Sequence, residues 1–381
     1  MTRFSRRSIL GGAGAAVGAA ALGSSIVPGR SEASTSGASA LRVREEAKSL
    51  DELYADALAE GGELVIYAGG DTATQQDFTK QAFLSRFPKM KLTMVVDYSK
   101  FHDVRVDNQL ATDTLVPDVV QLQTLQDFTR WKKQGKLLSY KPAGFSQLYK
   151  DFRDSDGAWV AIAVIGFSFM YNAAAAGSSA PRTPLDLVDP RWKGKIASSY
   201  PNDDDAVLFL YRLYAEKYGW NWLSKLVAQD VQFARGSNTP GDATNAGTKA
   251  IGIGGSGSLT SASTAAVRWV VPDGHPFMAW GQRAAILAEA KRPAAAKLYL
   301  NWALSTAVQQ NAFNGWSVRT DVTPAGGLKP IWTYQNANLE GFPRFMADRA
   351  EVERWKQTFS LYLGEVQGTP SPGWLGLHPG A

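Results

Sequence analysis

Residues 61–72 read Gly-Gly-Glu-Leu-Val-Ile-Tyr-Ala-Gly-Gly-Asp-Thr, and this stretch decides the fold class. The run Leu64-Val65-Ile66-Tyr67 is apolar without alternation, which is the pattern of a strand covered on both faces, as in a parallel sheet. Glycine pairs end the run on both sides. A polar helix over 49–60 precedes it, and helical spacing follows it at Phe78, Ala82, Phe83 and Phe87, up to Pro88. The same grammar then repeats. Residues 91–96 read as a strand and are followed by a helix bearing Val104, Val106 and Leu110. A third strand, 118–122, precedes a helix over 126–134 that Gly135 ends. Three strand–helix alternations predict an open, mostly parallel α/β sheet.

The second half of the chain carries extended candidates at 159–164, 167–171, 195–197, 231–233, 250–253 and 269–271. Helical candidates fall at 203–217, 220–229, 293–302 and 306–313. The last, 348–362, has a periodic apolar face at Val352, Trp355, Phe359 and Tyr362 and is expected to pack across the body.

The amino terminus predicts export. Arg3, then Ser5-Arg6-Arg7-Ser8-Ile9-Leu10, precede an apolar run to Val27 in which glycine and alanine predominate, and polar, serine-rich sequence follows. This resembles a twin-arginine signal peptide, which implies the twin-arginine export machinery as a partner and a periplasmic or extracytoplasmic location. Small-x-small cleavage sites stand at Ser31-Glu32-Ala33 and Ala38-Ser39-Ala40, so residues 1–40 are assigned to signal and linker. The chain has no cysteine, so its 381 residues must hold a core large enough to do without disulfides, and two domains fit that length. Arg3, Arg6, Arg7 and Arg30, set against Glu32, account for more than half of the formal charge of +5. The mature chain therefore lacks the basic footprint of a nucleic-acid-binding protein.

In open parallel sheets, ligands sit beyond the carboxyl ends of the strands, where loops and helix starts expose backbone N–H groups. That rule selects Gly70 and Asp71 after the first strand and Gln123 after the third. Further on it selects Tyr200 and Asp203, Arg235, and Ser256. The same residue types serve turns and helix caps. The run Asn202-Asp203-Asp204-Asp205 would suit a cation such as a polyamine or metal. Equally, Asn202 or Asp203 would cap the helix that follows. Arg235 would either grip an anionic group or pair with one of these aspartates; we favour the anionic reading because the aspartates have a capping role open to them. Trp280 and Trp316 are candidates for an aromatic wall of the site.

The segments GGELVIYAGG, PDVVQLQT, GAWVAIAVIGFSFMYN, PRWKGKIASSYPN, YGWNWLSKLVAQ, LYLNWALSTAVQQ and GWSVRTDV follow one another in an order and at spacings that resemble the iron-type solute-binding proteins of ABC importers. The resemblance implies a type II two-lobed fold, α/β in each lobe, with a small polar or anionic solute held between the lobes and handed to ABC permease membrane subunits. It implies no cofactor, no catalysis and a monomer. Lobe 1 is expected at 41–164 plus 277–325 and lobe 2 at 165–276. Crossing strands are placed near 164–169 and 277–280, and a carboxyl-terminal segment covers 326–381. The iron-binding branch uses two adjacent tyrosines at the place corresponding to 254–260, where this chain has none, so direct ferric binding is not expected by that route.

One motif opposes this reading. Gly252-Ile253-Gly254-Gly255-Ser256-Gly257 satisfies G-x-G-x-x-G, and Asp273 follows at about the dinucleotide spacing. An exported NAD(P)-dependent oxidoreductase is therefore the alternative, alongside some other enzyme on the same two-lobed fold.

Overall fold

The computed structural model describes residues 43–261, 264–312 and 314–368; residues 1–40, expected to be signal and linker, lie outside them. Chain order begins α1 (Leu50–Ala59), β1 (Glu63–Gly69), α2 (Asp77–Arg86), β2 (Lys91–Asp97), α3 (Ser99–Ala111), β3 (Val119–Leu122) and α4 (Leu125–Lys133). It continues with β4 (Val160–Asn172), α5 (Ala173–Ala176), β5 (Ile196–Ser199), α6 (Asp205–Tyr218), α7 (Trp220–Val227), β6 (Gln232–Ala234), α8 (Thr239–Asn245), β7 (Ile251–Gly255) and β8 (Val267–Val270). It closes with β9 (Met278–Ile286), α9 (Pro293–Ala303), α10 (Thr306–Gln309), α11 (Gly341–Ala347) and α12 (Arg349–Leu363).

Local chemistry sets the first unit. Ser49 and Glu52 form a reciprocal capping box at the start of α1, which satisfies backbone N–H groups that the first turn leaves open. Gly61 and Gly62, at φ of 123° and 69°, turn the chain into β1. Leu64, Ile66, Tyr67 and Ala68 are all buried there, and β1 pairs in parallel with both β2 and β3. Two apolar clusters contain the residues of this half of the sheet. One holds Leu64, Ile66 and Phe83, the other Tyr67, Val120 and Trp131.

The sheet runs β2-β1-β3-β9-β4-β7-β5-β6, with β8 also on β4. In its second half β5 pairs in parallel with β6 and β7. Two long strands join the halves. Val160 to Phe167 of β4 pair with β9, and the remainder of β4, beyond a bulge at Ser168/Phe169, pairs with β7 and β8. The expected extended segments 159–164 and 167–171 are therefore one strand. Gly166, which suggests a break in the sequence, instead admits the Trp269 ring, whose Cη2 would lie 3.0 Å from an added Cβ. Ile165 faces Trp280, and Phe167 faces Met278, across this pair.

Three expectations need correction. The G-x-G-x-x-G glycines do not form a turn into a helix: Gly252 to Gly255 lie within buried β7, and no helix follows before β8 among the described residues. Their small size lets α8 and α6 approach, since a Cβ on Gly252 would lie 2.6 Å from the Pro240 carbonyl and one on Gly254 2.9 Å from Val207. The dinucleotide-binding reading fails on that geometry. The cap of α6 is Asp204, which accepts from the N–H groups of Ala206 (2.8 Å) and Val207 (3.0 Å); Asn202 instead donates to Ser360 Oγ and the Gly364 carbonyl. The helix expected over 306–313 ends at Gln309, where Asn311 N–H turns back to the Val308 carbonyl. Helix α12 carries its apolar face against α6 and α7, through Phe359 on Tyr211 and Trp355 on Trp220.

Candidate functional site

A cavity of about 750 Å³ opens where the carboxyl ends of the parallel strands meet from the two halves of the sheet. One bank comprises the loops after β1, β2 and β3, with Gly70 and Asp71, Tyr98 and Lys100, and Gln123 and Thr124. The other comprises the loops after β5, β6 and β7, with Asp203 to Asp205, Gly236 to Asn238, and Ser256. Ala163 to Ile165 and Phe167 of β4, with Trp280 and Gln282 of β9, line the cavity where the halves join. A flank comes from a distant part of the chain: Asn314, Met346, Arg349 and Lys356.

The banks touch. Ser237 Oγ and the Asn238 N–H both donate to Asp71 Oδ2, at 2.7 and 3.0 Å. Lys100 Nζ reaches Asp203 Oδ1 at 2.6 Å, and Gln123 Nε2 reaches Asp204 Oδ1 at 3.3 Å. Gly236 makes the close approach possible: at φ 84° it tolerates its turn, and a Cβ there would stand 3.2 Å from that of Asp71.

The carboxylates have unequal surroundings. Asp203 is shared by Lys100 and Arg235, and Asp205 by Arg349 and Lys356. Asp71 and Asp204 have no cationic partner among the described residues. Burial raises the Asp71 carboxyl against the hydrogen bonds from Ser237 and Asn238. Burial, with Asp71 and Asp205 nearby, raises Asp204 to about 6. Asp103, another lining residue, is pushed up to about 8 by burial and by Asp127. The Tyr98 phenol is raised by burial and then by Asp71 and Asp203.

Of the residues singled out from the sequence, Gly70, Asp71, Gln123, Asp203, Ser256 and Trp280 line the cavity. Three do not. Tyr200 is buried with its ring stacked on Phe233. Arg235 turns its Nη1 to Asp203 at 2.5 Å, so the pairing reading, not the anion clamp, matches its position. Trp316 is fully buried among Phe277, Trp269 and Tyr334, with its indole N–H on the Lys329 carbonyl. Sequence reading missed Tyr98 and Lys100, although the loop after β2 falls under the same rule as its neighbours. It also missed Phe78, which is 83% exposed and lines the cavity instead of filling the core. No local signal marks Asn314, Arg349 or Lys356, which come to the cavity only through tertiary packing.

Comparison with known proteins follows the same lines. The profile described as "Bacterial extracellular solute-binding protein" matches residues 100–323. A curated relative, the "Fe(3+)-binding periplasmic protein" of Serratia marcescens, is 32% identical over 108 residues, which is 28% of this chain and 32% of the relative; the match thus spans about a third of that protein's length. Among solved structures, the substrate-binding protein of an ABC transporter from Agrobacterium tumefaciens superposes with a TM-score of 0.65 at 16% identity, covering 81% of this chain and 97% of its own. The periplasmic binding protein AfuA from Actinobacillus pleuropneumoniae, solved with exogenous fructose-6-phosphate bound, gives 0.60 at 18% identity, covering 79% and 98%. These likenesses establish a type II, two-lobed periplasmic-binding-protein fold.

Proposed function

The chain belongs to the bacterial extracellular solute-binding protein family, and we propose that it is the capturing subunit of an ABC importer, holding one small solute between its lobes and releasing it unchanged to the membrane permease. The observation that carries this reading is the cavity itself. It lies at the carboxyl ends of parallel strands from both halves of the sheet, and β4 and β9 join those halves. Residues 41–164 with 277–325, and 165–276, act as lobes that swing about the paired Ile165–Phe167 and Met278–Trp280. Segment 326–381 adds α12 to the second lobe.

Capture needs no catalytic group, and the site residues are charged, hydrogen-bonding and aromatic. No helix among the described residues is long and apolar enough to cross a membrane. The protein works as an exported monomer delivered by the twin-arginine route. The named solutes of its relatives, ferric ion and a sugar phosphate, support solute capture in general without fixing the solute here. Ferric ion itself fits poorly as cargo: Tyr98 is the only phenol among the described lining residues, and no group of three or more metal-ligating side chains is gathered among them.

The test is a thermal-shift screen of the mature protein against amines, amino acids, sugars, carboxylates, phosphate esters and metals. A true solute at a hundred times its dissociation constant adds about 2.7 kcal/mol to stability. A screen in which no compound raises the melting temperature, or in which the active compound is converted to product, contradicts the reading.

A further inference from the structure

Resting on the capture reading above, we propose that the solute is a small organic cation with several N–H donors, of the aliphatic diamine or oligoamine class. Three independent features of the cavity point to it.

The first is how its charges are used. The lining cations Lys100, Arg349 and Lys356 are each held by a carboxylate, at 2.6, 2.9 and 2.8 Å. An anionic solute would have to share each of these cations with the carboxylate that already holds it. Asp71 and Asp204, by contrast, have no cation among the described residues. All the hydrogen bonds to the Asp204 carboxyl go to Oδ1, which leaves Oδ2 without a partner among the described residues. Asp71 and Asp204 also repel each other, and each is pushed toward its neutral form. A bound cation relieves both effects.

The second is the set of unsatisfied neutral atoms. Thr124 Oγ1, Gln126 Oε1 and Asn314 Oδ1 belong to lining residues and are buried without a hydrogen-bond partner. Thr124 is 5% exposed and Asn314 0%. The amide orientations are fixed by their other ends. Asn314 Nδ2 donates to the Gly257 carbonyl and to Ser256 Oγ, and Gln126 Nε2 donates to Asp127. Both free ends are therefore acceptors. A buried acceptor left without a donor is unfavourable, and N–H groups of a solute would satisfy it. Among the described residues the one unpartnered buried nitrogen, Arg235 Nε, belongs to a residue that does not line the cavity.

The third is the aromatic wall. Tyr98, Phe167 and Trp280 line the cavity, with Phe167 and Trp280 packed edge to face at 5.0 Å. Ring faces attract cations and bury methylene groups, so a wall of this kind suits the hydrocarbon stem and the charge of an amine alike.

Isothermal titration of the mature protein with 1,4-diaminobutane and with spermidine tests the proposal. The permethylated bis-quaternary diamine serves as a control of equal charge without N–H donors, and citrate and fructose 6-phosphate as anionic controls. The proposal expects one amine bound per chain and the permethylated analogue weaker by at least about tenfold. Asp71→Asn and Asp204→Asn should each weaken amine binding by about thirtyfold or more. Asparagine retains the cap at 204 and the acceptor at 71, so neither substitution should lower the melting temperature of the empty protein. Failure of both amines to bind, or amine binding indifferent to both substitutions, overturns the proposal. If an anionic control binds where the amines do not, the solute class is wrong and the capture reading stands; if no compound of either charge binds, the amine proposal falls and the capture reading is decided by the wider thermal-shift screen.

Discussion

Ser237 Oγ donates to Asp71 Oδ2 at 2.7 Å, joining residues 166 positions apart across the mouth of the cavity. With Lys100 on Asp203, this contact ties the two banks together. A hydrogen bond to a carboxylate contributes about 1.5–3 kcal/mol and a partly exposed ion pair about 0.2–1 kcal/mol. Ser237→Ala combined with Lys100→Met is therefore expected to shift the empty protein toward an open form. The solution radius of gyration from small-angle scattering should rise in the double variant and return to the wild-type value when solute is added. An unchanged radius would mean that the banks are held by other contacts.

Arg235 gives a sharper contrast. Its guanidinium pairs with Asp203 and does not line the cavity. Arg235→Ala should lower the unfolding free energy by about 1–3 kcal/mol, because the pair is mostly buried. Amine affinity should stay within about threefold or tighten, since a positive charge has been removed. Denaturant unfolding and titration on the same preparation decide it. A large loss of solute affinity at unchanged stability would restore the anion clamp.

The raised carboxyls set a pH dependence. Asp204, facing Asp71, Asp203 and Asp205 with Lys100 and Arg235 nearby, has a folded value of about 6 against the usual 3.8. The proton is thus bound more tightly in the folded state. The stability that this group contributes is fully present below the unfolded value and is lost as pH rises through 6, by up to about 3 kcal/mol. Asp103, beside Asp127 and Asp107, whose charges Arg130 shares, extends the loss toward pH 8. The melting temperature of the empty protein should fall between pH 5 and 8. Asp204→Asn should flatten the lower part of that slope and Asp103→Asn the upper part. Amine affinity should rise over the same window, because the solute binds the ionised carboxylates.

Export can be tested without reference to the site. On the proposed twin-arginine route, Arg6 and Arg7 are the pair that the export machinery would read, and lysine keeps the charge but not the address. The Arg6→Lys, Arg7→Lys precursor should remain in the cytoplasm, as followed by cell fractionation. Normal export of the double variant would assign the chain to the general secretion route.

How far the site was legible depended on how local its causes were. The run Leu64 to Tyr67 and its glycine flanks are contiguous, so β1 and the position of Gly70 and Asp71 beyond it follow from the sequence alone. Gln123, Asp203 and Ser256 follow from the same strand-end rule. The extended segments 159–164 and 167–171 are one strand, β4, in which the space left at Gly166 is filled by the distant Trp269. Trp280 and Trp316 look alike in sequence; only packing decides that one faces the cavity and the other is enclosed by Phe277 and Tyr334. The role of Arg235 depended on which residue capped α6, expected from the sequence to be Asn202 or Asp203. Asp204 does so, which leaves Asp203 to take the arginine and Lys100. Arg349 and Lys356 reach the site on a helix near the other end of the chain, and nothing local announces that.

The claim that the interlobe cavity captures a solute is tested most directly by equilibrium dialysis of the mature protein with its highest-ranking thermal-shift compound, followed by mass analysis of what is recovered. Ala163→Trp, which places an indole inside the cavity, is measured alongside. The account predicts one molecule held per wild-type chain, recovered chemically unchanged on dilution, and none held by Ala163→Trp at an unchanged fold. Retention by Ala163→Trp equal to that of the wild type, or recovery of the compound as a different one, would contradict it.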